Sequence, residues 1–276
     1  MALLLALGSG VTFGAADFAG GLAAKRAPAV AVTLVSQAVG VLVLMVLMPL
    51  LPGSPSGAAF TTGALAGIAG ALGLVAYLRA LAVGPMGLVA PLASVIGVMV
   101  PVTAGILLGE RPSLVASFGI VLGVLAVGVV AGGRRVEQHA VATAGPLLAL
   151  LGGAGFGVFF ILLDRTPVGS GLWPLIGARA SSLVLLVVLA AVTRSTLPPR
   201  DALPLIVVSG ALDMLANILF LLAARIGLLT TAALLTSLYP IVVVVLARYL
   251  LAERLGRPQA LAVGLSLAAV AVITVG

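Results

Sequence analysis

From position 29 to position 50 the chain carries no charged residue at all. Nine further apolar segments of similar length accompany it, at roughly 2–22, 60–83, 85–108, 113–131, 144–163, 171–193, 203–225, 228–250 and 257–275. No other feature restricts folding as much. About 20 apolar residues in helical form cross the hydrocarbon of a bilayer, and a helix satisfies every backbone N–H and C=O within its own segment. Barrel strands would be shorter and would alternate apolar with polar residues, which these segments do not. The composition agrees: 62% of the 276 residues are hydrophobic and 8% charged, against roughly a quarter charged in a soluble domain. One aqueous core cannot hide that much apolar surface. The expected fold is an all-α integral membrane protein with ten transmembrane helices. Segment 2–22 lacks a basic leader region and reads as the first helix, not as a cleaved signal.

Short polar breaks separate the segments: Lys25-Arg26, PGSPSG (Pro52 to Gly57), Gly84-Pro85, Glu110-Arg111, GGRRVEQH (Gly132 to His139), Asp164-Arg165, RSTLPPRD (Arg194 to Asp201), Ile226-Gly227 and Glu253-Arg254. Two of these breaks repeat each other. Glu110-Arg111 and Glu253-Arg254 each end a long apolar run, and 253 − 110 gives an offset of 143 positions. At the same offset Phe13-Gly14 matches Phe156-Gly157, Gly67 matches Gly210, Gly84 matches Gly227 and Ser94 matches Ser237. Residues 77–133 and 220–276 align without gaps, with more identities than so Ala-, Leu-, Val- and Gly-rich a composition produces. The chain is therefore a duplication, with copies at 1–133 and 144–276 joined by a linker at 134–143. Each copy holds five spans. Five is odd, so the second copy lies inverted relative to the first, the plan of secondary transporters, whose site lies near the midplane between copies. On this plan the two Glu-Arg pairs lie on opposite membrane faces. Each closes a fourth helix and turns the chain into the fifth, with a gating contact as the lesser reading.

The net charge of +7 comes from 14 Lys and Arg scattered between apolar runs. Without a basic tract interleaved with aromatics they do not make a nucleic-acid surface; they anchor loops at lipid headgroups and set topology. Lys25, Arg26, Arg134, Arg135, Arg194, Arg200, Arg254 and Arg257 fall in odd-numbered loops, which the positive-inside rule places in the cytoplasm, with both termini outside. There is no cysteine, which excludes disulfides and thiolate metal sites, and the sequence calls for no metal or other cofactor. Four GxxxG pairs, Gly10/Gly14, Gly63/Gly67, Gly119/Gly123 and Gly153/Gly157, strip one helical face and let a second backbone approach closely.

The candidate site residues are the polar ones inside spans. Asp213 lies midway along span eight with Asn217 one turn on, on the same face, and Arg179 lies inside span seven. Charge in hydrocarbon is costly and faces the bundle interior or water. Either Asp213 and Arg179 pair as a structural lock, or Asp213 binds a cation or proton; the residues alone leave both open. Asp17, late in span one, reaches the interface or pairs with Lys25, or joins the site. Arg79 and Arg248 lie near span ends and snorkel. Span four carries Pro91, Gly97 and Pro101, and Pro240 of span nine falls opposite Gly97 in the repeat. Proline removes a helical donor, so a shared, cavity-facing bend is expected there, with Ser94 and Ser237 one turn before it and Tyr239 beside it. Phe13 (matching Phe156) and Tyr77 (matching Phe220) offer ring faces to an organic solute. Trp173, before Pro174, fits an interface anchor.

The two LLxER stretches, FLLAARIG (Phe220 to Gly227) with its partner YLRALAVG (Tyr77 to Gly84), LTSLYP (Leu235 to Pro240) and the two five-helix copies together resemble the EamA-type transporters of the drug/metabolite transporter superfamily. The resemblance covers nearly the whole chain. It implies movement of small organic solutes such as amino acids, drugs or related metabolites by alternating access, with export favoured, in a multi-pass protein of the cell membrane of the bacterial inner-membrane type. It implies a central cavity lined by both copies, including the bent fourth and ninth spans, to which Ser94, Ser237 and Tyr239 correspond. Phe13, Tyr77, Asp213 and Asn217 join them from helix placement alone; Asp17, Arg179 and Asp213 form the coupling or ion-pair set. The family's usual cytoplasmic termini oppose the orientation that the charge count favours. Expected partners are a small-molecule solute, membrane lipids and protons; oligomeric state is not legible. An intramembrane enzyme would need a catalytic set such as HExxH or paired aspartates, and the single histidine, His139, sits in a loop. A channel or a flippase of lipid intermediates stands as the other alternative.

Overall fold

The computed structural model describes residues 1–50, 53–107, 113–132, 141–226, 236, 239–253 and 256–275. Among them the chain is all helical, with ten α-helices: α1 (Ala2–Ala24), α2 (Ala29–Leu47), α3 (Gly57–Val83), α4 (Met86–Leu107), α5 (Leu114–Gly132), α6 (Val141–Asp164), α7 (Trp173–Val192), α8 (Leu203–Ile226), α9 (Tyr239–Leu250) and α10 (Arg257–Val275). Six of these, α1, α2, α3, α6, α7 and α8, are long and apolar enough to cross a membrane by length and composition. The helices end where the sequence breaks them. Pro28 and Ser56 stand just before α2 and α3, and the Ser56 hydroxyl accepts the Ala59 N–H at 3.3 Å, meeting one of the donors a helix start leaves unpaired. Pro174 occupies the first turn of α7, where its missing N–H has no helical role.

The outer surface differs from that of a soluble protein in being apolar. On α2 the side chains of Thr33, Ser36 and Gln37 are buried, whereas Leu42, Met45 and Val46 are exposed. Apolar side chains lose nothing by facing lipid tails, so association of such helices rests on close packing and interhelical polar contacts.

Glycine sets that packing. A Cβ on Gly63 or Gly67 of α3 would lie 2.1 Å from the Pro174 or Ala178 carbonyl oxygen of α7. On Gly153 of α6 it would meet the Ala93 carbonyl of α4, and on Gly14 of α1 the Tyr239 carbonyl of α9. Gly14, Gly63, Gly67 and Gly153 thus serve as close backbone contacts between copies. Gly157 of α6 would place a Cβ 3.1 Å from the Gly97 carbonyl of α4. That carbonyl is the one Pro101 cannot reach with a hydrogen bond.

The two copies interlock. α3 packs on α6 and α7, and its counterpart α8 packs on α1 and α2; α4 lies on α6, and its counterpart α9 lies on α1. These contacts exchange under the 143-residue offset. The start of α4 meets the turn after α9, through hydrogen bonds from Met86 and Gly87 to Glu253. The equivalent helices α4 and α9 therefore run antiparallel, as an inverted duplication requires. Loops pair by side as well: Trp173 Nε1 donates to the Gly53 carbonyl at 3.3 Å, and Ser54 N–H to the Gly169 carbonyl at 3.1 Å.

α4 stays helical through Pro91, Gly97 and Pro101, so the prolines of span four do not interrupt it. Pro240 lies within the described helix Tyr239–Leu250.

Candidate functional site

The polar side chains inside the spans do not scatter. They converge on the seam between copies, three from each: Asp17 (α1), Tyr77 (α3) and Ser94 (α4) from the first, Arg179 (α7), Asp213 (α8) and Tyr239 (α9) from the second. Asp17 is 9% exposed and Tyr77 is fully buried, and the Tyr77 hydroxyl donates to Asp17 Oδ2 at 3.1 Å. The expectation that Asp17 reaches the interface or pairs with Lys25 is corrected. α1 turns Asp17 onto its packed face, while Lys25, beyond the helix end, is exposed. The Tyr239 hydroxyl lies beside those of Tyr77 and Ser94 and close to the Asp17 carboxyl. It is buried, and no polar atom among the described residues completes a well-formed hydrogen bond to it. Phe156 meets the Tyr77 ring edge-to-face with centroids 5.4 Å apart.

Beside this group lies an ion pair. Arg179 Nη2 donates to Asp213 Oδ2 at 2.6 Å, with the side chains 10% and 18% exposed. At that depth a lone charge costs several kcal/mol or more, which explains why an acid and a base share one level of the bundle. The Arg179 guanidinium lies over Gly40 of α2, whose absent side chain leaves it room. Asn217 spends its amide on the Asp213 backbone carbonyl, one turn back, at 2.8 Å. The Asp17 carboxyl also senses the Asp213 charge, so the two spans the sequence did not connect are brought together here.

Several seam residues escaped the sequence reading. Thr33, Ser36, Gln37 and Gly40 form a buried stripe on α2, with the Gln37 Oε1 unpaired among the described residues. Their spacing of three, four and seven residues is the signal that could have found them. Ser9 and Ser209 are buried as well, and the Ser9 hydroxyl donates to the Ala216 carbonyl at 2.9 Å, tying α1 to α8. Phe156, rather than its repeat partner Phe13, supplies the ring next to Tyr77; Phe13 is half-buried. Ser237, Glu110, Arg111 and Arg254 lie outside the described residues. Arg79 and Arg248 are exposed, in keeping with side chains that run along the helix toward headgroups.

Glu253 does more than end a helix. Ala252 turns the chain at φ 52°, and the carboxylate then reaches the start of α4, accepting the N–H groups of Met86 and Gly87 at 3.1 Å each. A negative charge there meets both the unpaired donors and the positive end of the helix dipole.

The chain's relations to known proteins follow the same division. The EamA-like transporter family model matches residues 1–132 and again residues 143–275. One solved structure, described only as the crystal structure of a protein, superposes with a TM-score of 0.63 at 17% identity, over 99% of this chain and 96% of that one. It shares the fold. No curated protein matches. With the family pattern present in both halves and spanning nearly the whole chain, this multi-pass membrane protein belongs to the EamA-like transporter family, within the drug/metabolite transporter superfamily.

Proposed function

We propose that the protein is a secondary carrier that exports small organic solutes by alternating access, from the inner membrane of a bacterium. One observation carries this reading: Asp17, Tyr77, Ser94, Arg179, Asp213 and Tyr239, drawn from six helices and both copies, meet inside an otherwise apolar bundle. Polar residues at that depth are costly and mark solute or ion paths. In inverted-repeat carriers such a path lies between the copies, where rocking of one against the other opens it to each side in turn. Six helices supply the site, so a change in their relative tilt alters it directly. In this proposal Tyr77, Tyr239 and Ser94 contact the solute, and Ser237 and Phe13 remain candidates for the same role. Arg179–Asp213 is the structural ion pair, and Asn217 positions the Asp213 turn.

The test begins with a thermal-stability screen of the purified protein against amino acids, nucleosides, sugars and cationic drugs, since a ligand of the folded state raises the unfolding midpoint. The solute found is then offered to proteoliposomes. Saturable uptake supports a carrier; uptake that rises linearly with concentration supports a channel and overturns the proposal.

A further inference from the structure

We infer that the transported solute is an organic cation bearing a protonated amine, and that Asp17 receives the ammonium group; this rests on the carrier reading above. Among the described residues the charges on the seam do not balance. Asp17 and Asp213 are two carboxylates and Arg179 is one guanidinium. Arg179 is committed to Asp213 at 2.6 Å, and among the described residues the one other ion pair, Arg26–Asp201, is exposed and lies beyond the end of α1 and before the start of α8. Asp17 therefore has no cationic partner among the described residues, although it is nine-tenths buried. The hydroxyl of Tyr77 supports one of its oxygens. A buried carboxylate is made stable by a cation or by a proton, so the site is built to hold one positive charge.

The surroundings specify what kind of cation. Tyr77 reaches the acid with its hydroxyl, Tyr239 comes in from α9, and Phe156 packs edge-to-face on the Tyr77 ring, so the neighbourhood of the acid is aromatic. Ring faces attract an ammonium group by their quadrupole and give apolar area to the carbon skeleton attached to it. The Tyr239 hydroxyl, buried beside those of Ser94 and Tyr77, has lone pairs to accept an ammonium N–H, as does Tyr77. A small metal ion fits less well, because it requires several oxygen ligands in a shell, and among the described residues no group of three His, Asp or Glu side chains gathers. An anionic solute would face two carboxylates, with the single guanidinium already engaged.

The experiment compares three solutes of one skeleton: phenethylamine, phenethyl alcohol and phenylacetate. The full-length protein is purified in detergent and its unfolding midpoint followed as each is titrated. The inference predicts a midpoint that climbs with the logarithm of phenethylamine concentration, a weaker rise with the alcohol and none with the carboxylate. It further predicts that Asp17→Asn loses the amine response, and that Asp17→Glu regains part of it. Equal responses to amine and alcohol, a response to the carboxylate alone, or no response to the amine overturns the inference. So does an Asp17→Asn protein that keeps the wild-type amine response. The wild-type charge series stands even if Asp17→Asn does not fold. Amine binding without saturable exchange in proteoliposomes would refute the carrier reading and leave the amine site intact. Saturable exchange of a neutral or anionic solute, with the amine inert, would do the reverse.

Discussion

Replacing Glu253 tests how the two copies are joined at one membrane face. In Glu253→Ala the carboxylate leaves, and the N–H groups of Met86 and Gly87, each held at 3.1 Å, lose their acceptor. Hydrogen bonds to a charged group contribute about 1.5–3 kcal/mol each, and the favourable charge at a helix start adds about 0.3–1 kcal/mol. Glu253 is only half-buried, so water replaces part of both, and the net loss is set at about 2–3 kcal/mol. For a chain of this size that corresponds to a fall of about 4–12 °C in the unfolding midpoint. Glu253→Gln keeps one acceptor oxygen and should fall about half as far. The assay is thermal unfolding in a single detergent, read by tryptophan fluorescence from the lone Trp173. Near-wild-type midpoints for both variants would refute the cap, and with it the claim that this side chain holds the turn after α9 to the start of α4.

The Arg179–Asp213 pair gives a double-mutant cycle. Arg179→Gln and Asp213→Asn should each cost about 3–5 kcal/mol by stranding a buried charge, while the double variant should lose less than the sum, measured by the same unfolding assay. Gly67→Ala, whose Cβ would sit 2.1 Å from the Ala178 carbonyl, should lower the folded yield sharply, whereas Gly57→Ala, with nothing within 4 Å, should not; size-exclusion chromatography reads both. The native chain has no cysteine, so Arg200→Cys labels one loop cleanly. The positive-inside count predicts shielding from a membrane-impermeant thiol reagent in intact cells; rapid labelling from outside would place both termini in the cytoplasm instead.

How much of this was legible in the sequence depends on the range of the physics involved. The spans could be read because membrane thickness imposes a local length on each segment: span two was expected at 29–50, and α2 with its terminal 3-10 turn covers Ala29–Leu50. The inversion was legible from an odd number of spans per copy. The partner of Asp17 was not, because Tyr77 lies 60 positions away and only the packing of α3 against α1 joins them. Glu253 was assigned as a helix stop because its acceptor role needs the start of α4, 167 positions earlier in the chain. The α2 stripe has helical spacing but carries no charge, so its residue types do not set it apart from ordinary polar residues within a span. Span four stays helical through its prolines because a proline within a helix removes one donor without forcing an interruption when neighbouring backbone closes around it.

The central claim is that one site between the copies is exposed alternately to the two sides of the membrane. Its most direct test is exchange. Proteoliposomes are loaded with unlabelled solute, chosen as the one that most raises the unfolding midpoint, and uptake of the labelled form is measured with and without the internal load. A carrier that reorients with its cargo should saturate and should take up label faster when solute waits inside. Uptake that neither saturates nor responds to the internal load would contradict the account.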